Sequence, residues 1–355
     1  MIYEERKLEK YMVRIALDAM GGDNAPHEIV KGGMDALIAS DEIELILLGR
    51  QDEIARELGT YSYDRSRVSV IDTPQVIETH EHPVEALMHT KKDSSMGVGM
   101  RLVKKGEADA FVSAGNSGAL LTGGQLLVGR LKGVIRPAFA SPIPVAPNLE
   151  TGNRGVTLLL DCGANAEVRS VMLVQFAIIG SLYAQHILGI ESPRVALVNN
   201  GSEEEKGTAL TQETHQLLKK ESSINFIGNI ESRDIVRGYA DVVVTDGFTG
   251  NAILKMYEGV AGTFLATMKS AFKANLRSKV GAYLLAPAIK DKFGIFDMSK
   301  YGGAPLIGSK GLIVKAHGNS KSAEIKTALL QCVTFKSQNI NKYIVEAIEN
   351  GTREA

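Results

Sequence analysis

The chain has 355 residues, 44% of them hydrophobic and 23% charged, and a formal net charge of -1. Its length suits about two domains or one large α/β unit, and a mean hydropathy near zero suits a globular protein with a full core. The balanced charge excludes a global field for nucleic acid, no run of about 18 apolar residues offers a membrane span, and Cys162 and Cys332 are too few and too far apart for a disulfide framework or a zinc site.

The first eleven residues, "MIYEERKLEKY", are charged and lack the apolar stretch of a signal peptide. They read as a flexible tail, with Met12 as an alternative start, and a reducing cytoplasm is the expected compartment. From there the pattern alternates. A strand at 13–17 leads to a helix at 26–38, a strand at 44–48 to a helix at 51–58, and a strand at 68–71 to a helix at 95–105. Strands at 110–113 and 156–160 precede a helix at 168–185, and a strand at 195–198 precedes helices at 204–219 and 233–239. The strand at 241–245 runs into a helix at 251–275, and the strand at 312–315 into a helix at 322–348. Several strands are continuous apolar runs, which is how strands covered on both faces read. The expectation is one large α/β unit over 12–348, with room for two intertwined subdomains and a mostly parallel sheet.

One junction type recurs six times: an apolar strand, then Gly with Asp, Asn or Ser, then a helix. The six are "IALDAMGGDNAP", "FVSAGNSGAL", "LLLDCGANAE", "ALVNNGSEEEKG", "VVVTDGFTGN" and "LIVKAHGNS". In an open α/β sheet, ligands bind beyond the carboxyl ends of parallel strands, so six such loops are expected to converge on one anion site. Backbone N–H groups at helix N-termini would hold the anion. For any single loop, a tight turn that needs glycine is the simpler account. The candidates are Asp18, Gly21, Gly22 and Asp23 in the first loop, Asn116, Ser117 and Gly118 in the second, and Asp161, Gly163 and Asn165 in the third. Asp246, Gly247, Gly250 and Asn251 belong to the fifth, and His317 to the sixth.

Lys255, four residues after Asn251, faces the helix start and suits a bound phosphate or oxyanion, or equally a solvated helix face. His317 suits a proton shuttle or a turn hydrogen bond. "GGAPLIGSKG" imitates a P-loop, but Ser309 and Lys310 stand in the wrong order. His80, His82 and His89 lack a third strong ligand and read as solvated surface, so no metal site is expected. Cys162 reads as a packing residue. No G-x-G-x-x-G occurs, so no dinucleotide cofactor is expected. Residues 263–296 read as a basic amphipathic helix followed by an apolar tip. Lys269, Lys273, Arg277 and Lys279 lie beside a stripe of Leu265, Met268, Phe272, Leu276 and Val280, and Leu284 and Leu285 lie in the tip. Such a segment docks on an acidic carrier or an anionic membrane, or packs a core or a dimer.

"RIALDAMGGDNAP", "KKDSSM", "FVSAGNSGAL", "RPA", "LDCGAN", "VVVTDGFTGN" and "YGGAPLIGSKG" with "KAHGNS" together resemble the bacterial phosphate acyltransferase family (PlsX), in order, over about 12–348. The resemblance implies a three-layer α/β/α sandwich with a mixed, mostly parallel sheet, like that of isocitrate and isopropylmalate dehydrogenases. It implies transfer of a long-chain acyl group from acyl carrier protein to inorganic phosphate, giving acyl phosphate for phospholipid synthesis. It also implies a homodimer, peripheral association with an anionic membrane, and the downstream glycerol-3-phosphate acyltransferase as a partner. The chain departs from the family at "THEHP", where an acidic stretch is usual, and at "NNGSEEEKG", which lessens the weight on Lys206. The tail over 1–11 has no counterpart.

Phosphate is its own nucleophile, so the protein need supply only placement, charge compensation and a stabilised oxyanion. In that chemistry the glycine loops hold phosphate and the carbonyl oxygen, and Lys255 compensates charge. Asp18, Asp23 or Asp246 orients loops or takes a proton, and His317 protonates the departing thiol. Two other functions suit the same pattern: a metal- and NAD-dependent decarboxylating dehydrogenase, and a non-enzymatic membrane scaffold built on 263–296.

Overall fold

The structure, a computed structural model, describes residues 12–153, 155–293 and 301–351. In chain order the elements are β1 Val13–Asp18, α1 His27–Ala39, β2 Ile43–Gly49, α2 Gln51–Leu58, β3 Val68–Asp72, α3 Pro83–Glu85, α4 Ser95–Lys105, β4 Ala110–Ser113 and α5 Ser117–Gly123. They continue with β5 Ala138–Pro144, β6 Val156–Leu160, α6 Ser170–His186, β7 Arg194–Asn199, α7 Ala209–Lys220, β8 Asn225–Glu231 and β9 Val242–Val244. The last are α8 Gly247–Lys273, α9 Leu276–Phe293, β10 Ala304–Ile307, β11 Leu312–Lys315, α10 Ser322–Gln338 and α11 Ile340–Gly351. The fold is α/β with a mixed, mostly parallel sheet, as expected. Contacts divide the chain into two compact units. The first ends at Gly129 and takes back Tyr301–Gly303 and Ser309–Asn339, and the second is the remainder.

In the first unit β1 lies between β2 and β4, with β3 beyond β2 and β11 beyond β4, and every pairing is parallel. Leu45 and Leu47 join one core with Ile29, Met34, Ile325 and Leu329 of α1 and α10. Alternation along the strand turns Leu48 to the other face, where it and Phe111 meet Gly99 of α4. Both faces are covered, which is why these strands read as unbroken apolar runs.

In the second unit β6, β9, β7 and β8 are parallel neighbours, while β5 runs antiparallel to β6, and β10 antiparallel to β5. Leu173, Phe176, Ala177 and Tyr183 of α6 are buried. Three strands escape the sequence pattern. β5 carries Pro142 and Pro144, which normally argue against a strand. Both fall beyond Ala138 and Phe139, the residues that pair with β10, so the strand needs fewer donors there. β8 is masked by a register shift that skips Ile227, with Gly228 at φ +101°. β10 is four residues long and sits inside the P-loop imitation.

Helix bounds differ in several places, and α8 starts at Gly247 rather than 251 because Asp246 caps it. The segment expected as a helix over 233–239 is a short 3-10 turn, Ser232–Arg237. The helix expected from 204 starts at Ala209, because Asn199 Nδ2 donates to Lys206 O at 3.0 Å and Thr208 Oγ1 caps Thr211 N. The helix expected over 322–348 breaks at Asn339, which is left-handed at φ 49° and separates α10 from α11. The apolar tip is helical: Leu284, Leu285 and Pro287 all lie inside α9. The expected tail over 1–11 and the end of the 263–296 segment lie outside the described residues.

Candidate active site

The first unit locks three of the six junctions together. Asp18, at the end of β1, is 1% exposed and points inward. Ser113 Oγ on β4 donates to its Oδ2 at 2.7 Å, and Met20 N donates to its Oδ1 at 3.2 Å. Ser113 Oγ in turn accepts from Gly115 N at 3.0 Å. Burial pushes the Asp18 carboxyl above its ordinary range, against hydrogen bonds from Ser95, Ser113 and the backbone of Met20 and Gly21. A Cβ on Gly21 would stand 2.5 Å from Asp18 Oδ2, so only glycine allows this closure. Gly22 takes φ +96°. The third junction joins through Asp23 N, which donates to Gly318 O at 2.7 Å, and through Asn24 Nδ2, which donates to Asn319 O and Ser320 O. Asp23 and His317 are exposed beside it.

Asp18, expected among the phosphate-binding groups, is therefore buried and hydrogen-bonded to its neighbours. Each of its oxygens accepts a hydrogen bond, one from the strand β4 and one from the turn itself, which ties the turn to β4. Asn116 is committed as well. Its Oδ1 caps α5 by accepting from Ala119 N at 3.0 Å, and its Nδ2 donates to Glu78 O at 2.9 Å. Ser117 is exposed at the first position of that helix, and Gly118 lies against Pro83.

The second unit joins the junctions after β6 and β9 in the same manner. Asp161 is fully buried. Its Oδ1 accepts from Phe139 N and Ala164 N, both at 3.0 Å, and its Oδ2 accepts from Asn165 N at 2.6 Å and Asn165 Nδ2 at 2.9 Å. Burial raises its pKa against those four bonds. Asn165 O accepts from Gly247 N at 2.7 Å, and Cβ atoms on Gly247 or Gly250 would collide with Asp161 or Asn165. Asp246 is the N-cap of α8: Oδ1 accepts from Thr249 N at 2.8 Å and Oδ2 from Thr249 Oγ1 at 2.7 Å. These bonds occupy the carboxylate that sequence reasoning offered as a base. Gly163 is exposed, with the Asn251 side chain nearest to it. The junction after β7 does not join this pair. Asn199 folds it onto Lys206 O, and Asn229 Nδ2 on β8 binds Glu203 O at 2.8 Å. Lys206 is exposed in that loop.

Lys255 is exposed on α8, two turns past Asp246, and makes no hydrogen bond or ion pair among the described residues. Of α8 only Gly247 and Gly250 are buried. Lys269 and Lys273 on α8 and Arg277, Lys279, Leu284 and Leu285 on α9 are all exposed, and no member of the expected stripe is buried among the described residues. Cys162 is buried and its Sγ donates to Leu159 O at 3.2 Å. Among the described residues no group of three or more His, Cys, Asp or Glu is placed to hold a metal, and no helix is long and apolar enough to cross a membrane.

Sequence reasoning missed a groove. A cavity of about 670 Å³ runs along α8 in the second unit, lined by Ala252, Ile253, Met256, Val260, Phe264 and Leu265 on one side and Ile143, Ile235 and Val236 on the other. Tyr257 Oη donates to Pro144 O at 2.7 Å and pins α8 to β5 at its side. The signal was present as the four-residue spacing of Ala252, Met256, Val260 and Phe264, upstream of the stripe that the sequence brought to notice.

Comparison first places the architecture. A phosphotransacetylase from Streptococcus pyogenes has the same fold at 16% identity and TM-score 0.58, covering 93% of this chain and 95% of that one. EutD phosphotransacetylase from Staphylococcus aureus gives 17% and 0.55, covering 92% and 94%. At that distance the likeness defines the fold class alone. Sequence relatives are far nearer. Residues 13–343 match the family described as "Fatty acid synthesis protein". Phosphate acyltransferase from Alkaliphilus oremlandii (strain OhILAs) is 46% identical over 338 residues, 95% of this chain and 98% of that protein. The same-named protein of Clostridioides difficile (strain 630) is 43% identical over 336 residues, 94% and 96%. The chain belongs to the phosphate acyltransferase family, and it is an acyltransferase.

Proposed function

We propose that the chain transfers a long-chain acyl group from acyl carrier protein to inorganic phosphate, supplying acyl phosphate to phospholipid synthesis. The groove along α8 carries this reading. It begins at Ala252, one turn after the junction formed by Asp246, Gly247 and Gly250, and ends at Leu265. At 1.5 Å rise per residue that is about 20 Å, the order of an extended long acyl chain. A chain lying there presents its thioester to the first turn of α8, and each buried methylene contributes about 0.8 kcal/mol to binding.

A phosphate oxygen attacks the thioester carbonyl carbon. A C–O bond forms, the C–S bond breaks, and the thiolate leaves and takes a proton. Lys255, exposed near the head of the groove, compensates the charge that gathers on phosphate and carbonyl oxygen. Gly163, Gly247, Gly250 and Asn251 offer close backbone approach in the second unit, and Gly21, Gly22, Ser117 and Gly118 do so in the first. Asp23 and His317, both exposed in the first unit, are the side chains there whose chemistry suits accepting and donating a proton. Asp18, Asp161 and Asp246 serve by holding loops.

Leu276, Val280, Tyr283 and Leu284 share one exposed face of α9, flanked by Arg277 and Lys279. That face suits peripheral contact with an anionic membrane, and the cations suit an acidic carrier equally. A second copy packed over α8 would cover Met256, Val260 and Phe264 and close the groove, which is the support for a homodimer. The downstream glycerol-3-phosphate acyltransferase would consume the product at the membrane. The test is direct: acyl carrier protein loaded with a long acyl chain, inorganic phosphate and the full chain, with free thiol and hydroxylamine-trapped acyl phosphate measured together. Equal release of both, dependent on phosphate, supports the reading; thiol release indifferent to phosphate removes it.

A further inference from the structure

The segment between β3 and α4 closes on itself within the first unit. Its two ends are stitched at Gln75, whose Oε1 accepts from Asp93 N at 3.1 Å and whose carbonyl accepts from Ser95 N at 3.4 Å. Between them stands α3, which runs on into a single π-helical turn, Ala86–Thr90. Such turns are rare and often mark functional sites. Leu87 of that turn is buried, and a Cβ on Gly123 of α5 would stand 3.5 Å from it.

A lysine latches the loop. Lys91 Nζ donates to Val76 O and to Glu81 Oε2, both at 2.6 Å, and the same Glu81 oxygen accepts from Glu78 N at 2.7 Å. The Lys91 and Glu81 side chains are only 27% and 24% exposed, so water and salt screen the pair less than one on open surface. Residues 76–81 belong to no helix or strand, so these side-chain bonds set where their carbonyls point.

From the latch the bonds lead to the glycine loop after β4. Asn116 Nδ2 donates to Glu78 O at 2.9 Å and to Thr79 O at 3.3 Å, and Asn116 Oδ1 accepts from Ala119 N at 3.0 Å. Gly118 lies directly under the segment, for a Cβ there would stand 2.7 Å from Pro83 Cγ. The far end of the segment reaches the loop after β1, because Ser95 hydrogen-bonds the Asp18 carboxyl. One latched segment thus bridges two of the candidate loops.

We propose that Lys91 is a positioning residue for the acceptor phosphate. Clamped to Glu81, it aims the Glu78 and Thr79 carbonyls at Asn116, and Asn116 fixes Ser117 and Gly118 where the phosphate is received. The proposal rests on the reading of these glycine loops as the phosphate site. Two of the three ammonium protons are used inside the segment, so Lys91 acts through Glu81 and Asn116 rather than by touching phosphate.

Calorimetric titration of the full chain with inorganic phosphate tests this without an acyl donor. Lys91→Met and Glu81→Ala should each weaken phosphate about tenfold, the scale of a small misplacement of a binding group. The double variant should be no weaker than either, because both changes cut one latch. Glu81→Gln keeps an acceptor for Lys91 Nζ and Glu78 N and should recover most of the loss. In turnover, the two single variants should raise the KM for phosphate and leave the KM for the acyl donor alone. Hydrogen exchange at Ala119 N should quicken in both, with β1 and β4 unchanged. A Lys91 that held phosphate by its own charge would be freed by removing Glu81, so tighter phosphate binding in Glu81→Ala overturns the proposal. Unchanged exchange at Ala119, or unchanged phosphate affinity in the two single variants, overturns it as well. A wild type that binds phosphate yet makes no acyl phosphate would sink the acyl-transfer reading, while the affinities still decide the role of Lys91.

Discussion

Asp161→Asn isolates what a buried carboxylate does at a strand end. The change is nearly isosteric, so no cavity opens. Asp161 accepts four hydrogen bonds, two at each oxygen. An amide leaves one oxygen and turns the other position into a donor. With the NH2 at the Oδ1 position it faces Phe139 N–H and Ala164 N–H. At the Oδ2 position it faces Asn165 N–H and Nδ2, and flipping Asn165 to answer it would turn the Asn165 carbonyl toward Pro137 O. Either way two buried donors lose their acceptor. At about 1–3 kcal/mol each, the cost is about 2–6 kcal/mol, a large share of the about 5–15 kcal/mol that holds a domain together. Urea unfolding should show a lower midpoint. Hydrogen exchange should show lost protection across β5, β6 and the first turn of α8, with β1 and β4 unaffected. Unchanged protection in β5 and β6 and a stability loss below about 0.5 kcal/mol would refute the accounting.

Lys255→Ala should lower kcat/KM for phosphate by about tenfold or more, the scale of one charge-assisted contact, without moving the unfolding midpoint; near-wild-type acyl phosphate formation removes its charge role. Ala252→Trp should fill the head of the groove. If two methylenes lose their place, the KM of a long-chain donor rises by more than about tenfold while a butyryl donor is unaffected; equal effects on both would sink the groove as the acyl site. Leu284→Glu should reduce sedimentation with anionic liposomes, and unchanged binding takes α9 out of the membrane model. Glu28 accepts from Ser322 N at 2.8 Å, and that bond holds its carboxyl below the ordinary 4.5. A depressed carboxyl contributes stability above its ordinary pKa and loses it as pH falls through the lowered one. The advantage of wild type over Glu28→Gln should therefore be present above about pH 4.5 and shrink as the medium is acidified below it, and an advantage that does not shrink would contradict the assignment.

Much of this was legible in the sequence, and what escaped did so for physical reasons. Eight strands were visible because strands covered on both faces must be apolar throughout. β5 was not, because two prolines tolerable at a locally unpaired flank look like a loop in one dimension. β8 was not, because one skipped residue breaks its alternation. The glycine junctions were found as sequence, but their grouping was not. Only the hydrogen bonds reveal that β1, β4 and β11 interlock, that β6 and β9 interlock, and that the β7 loop turns to β8.

The acids at the strand ends, which look like a poor choice beside an anion, resolve in the same way in both units. Asp18 and Asp161 are buried, and each accepts from the loop that follows its own strand and from a group on a neighbouring strand or segment. In each unit a glycine lies so near the carboxylate that a Cβ would stand 2.5 Å from Asp18 Oδ2 at Gly21 or 2.7 Å from Asp161 Oδ2 at Gly247. An acid satisfied by backbone donors is a tether whose charge is spent inward. It draws a glycine loop tight against the strand end and fixes the direction of that loop's remaining N–H groups. In the proposed reaction the negative charge would build the cradle, and the attraction for phosphate would fall to backbone dipoles and to Lys255. A chain of net charge -1 can handle an anionic substrate on these terms, because the sign that matters is set over a few ångströms by which oxygens are already occupied.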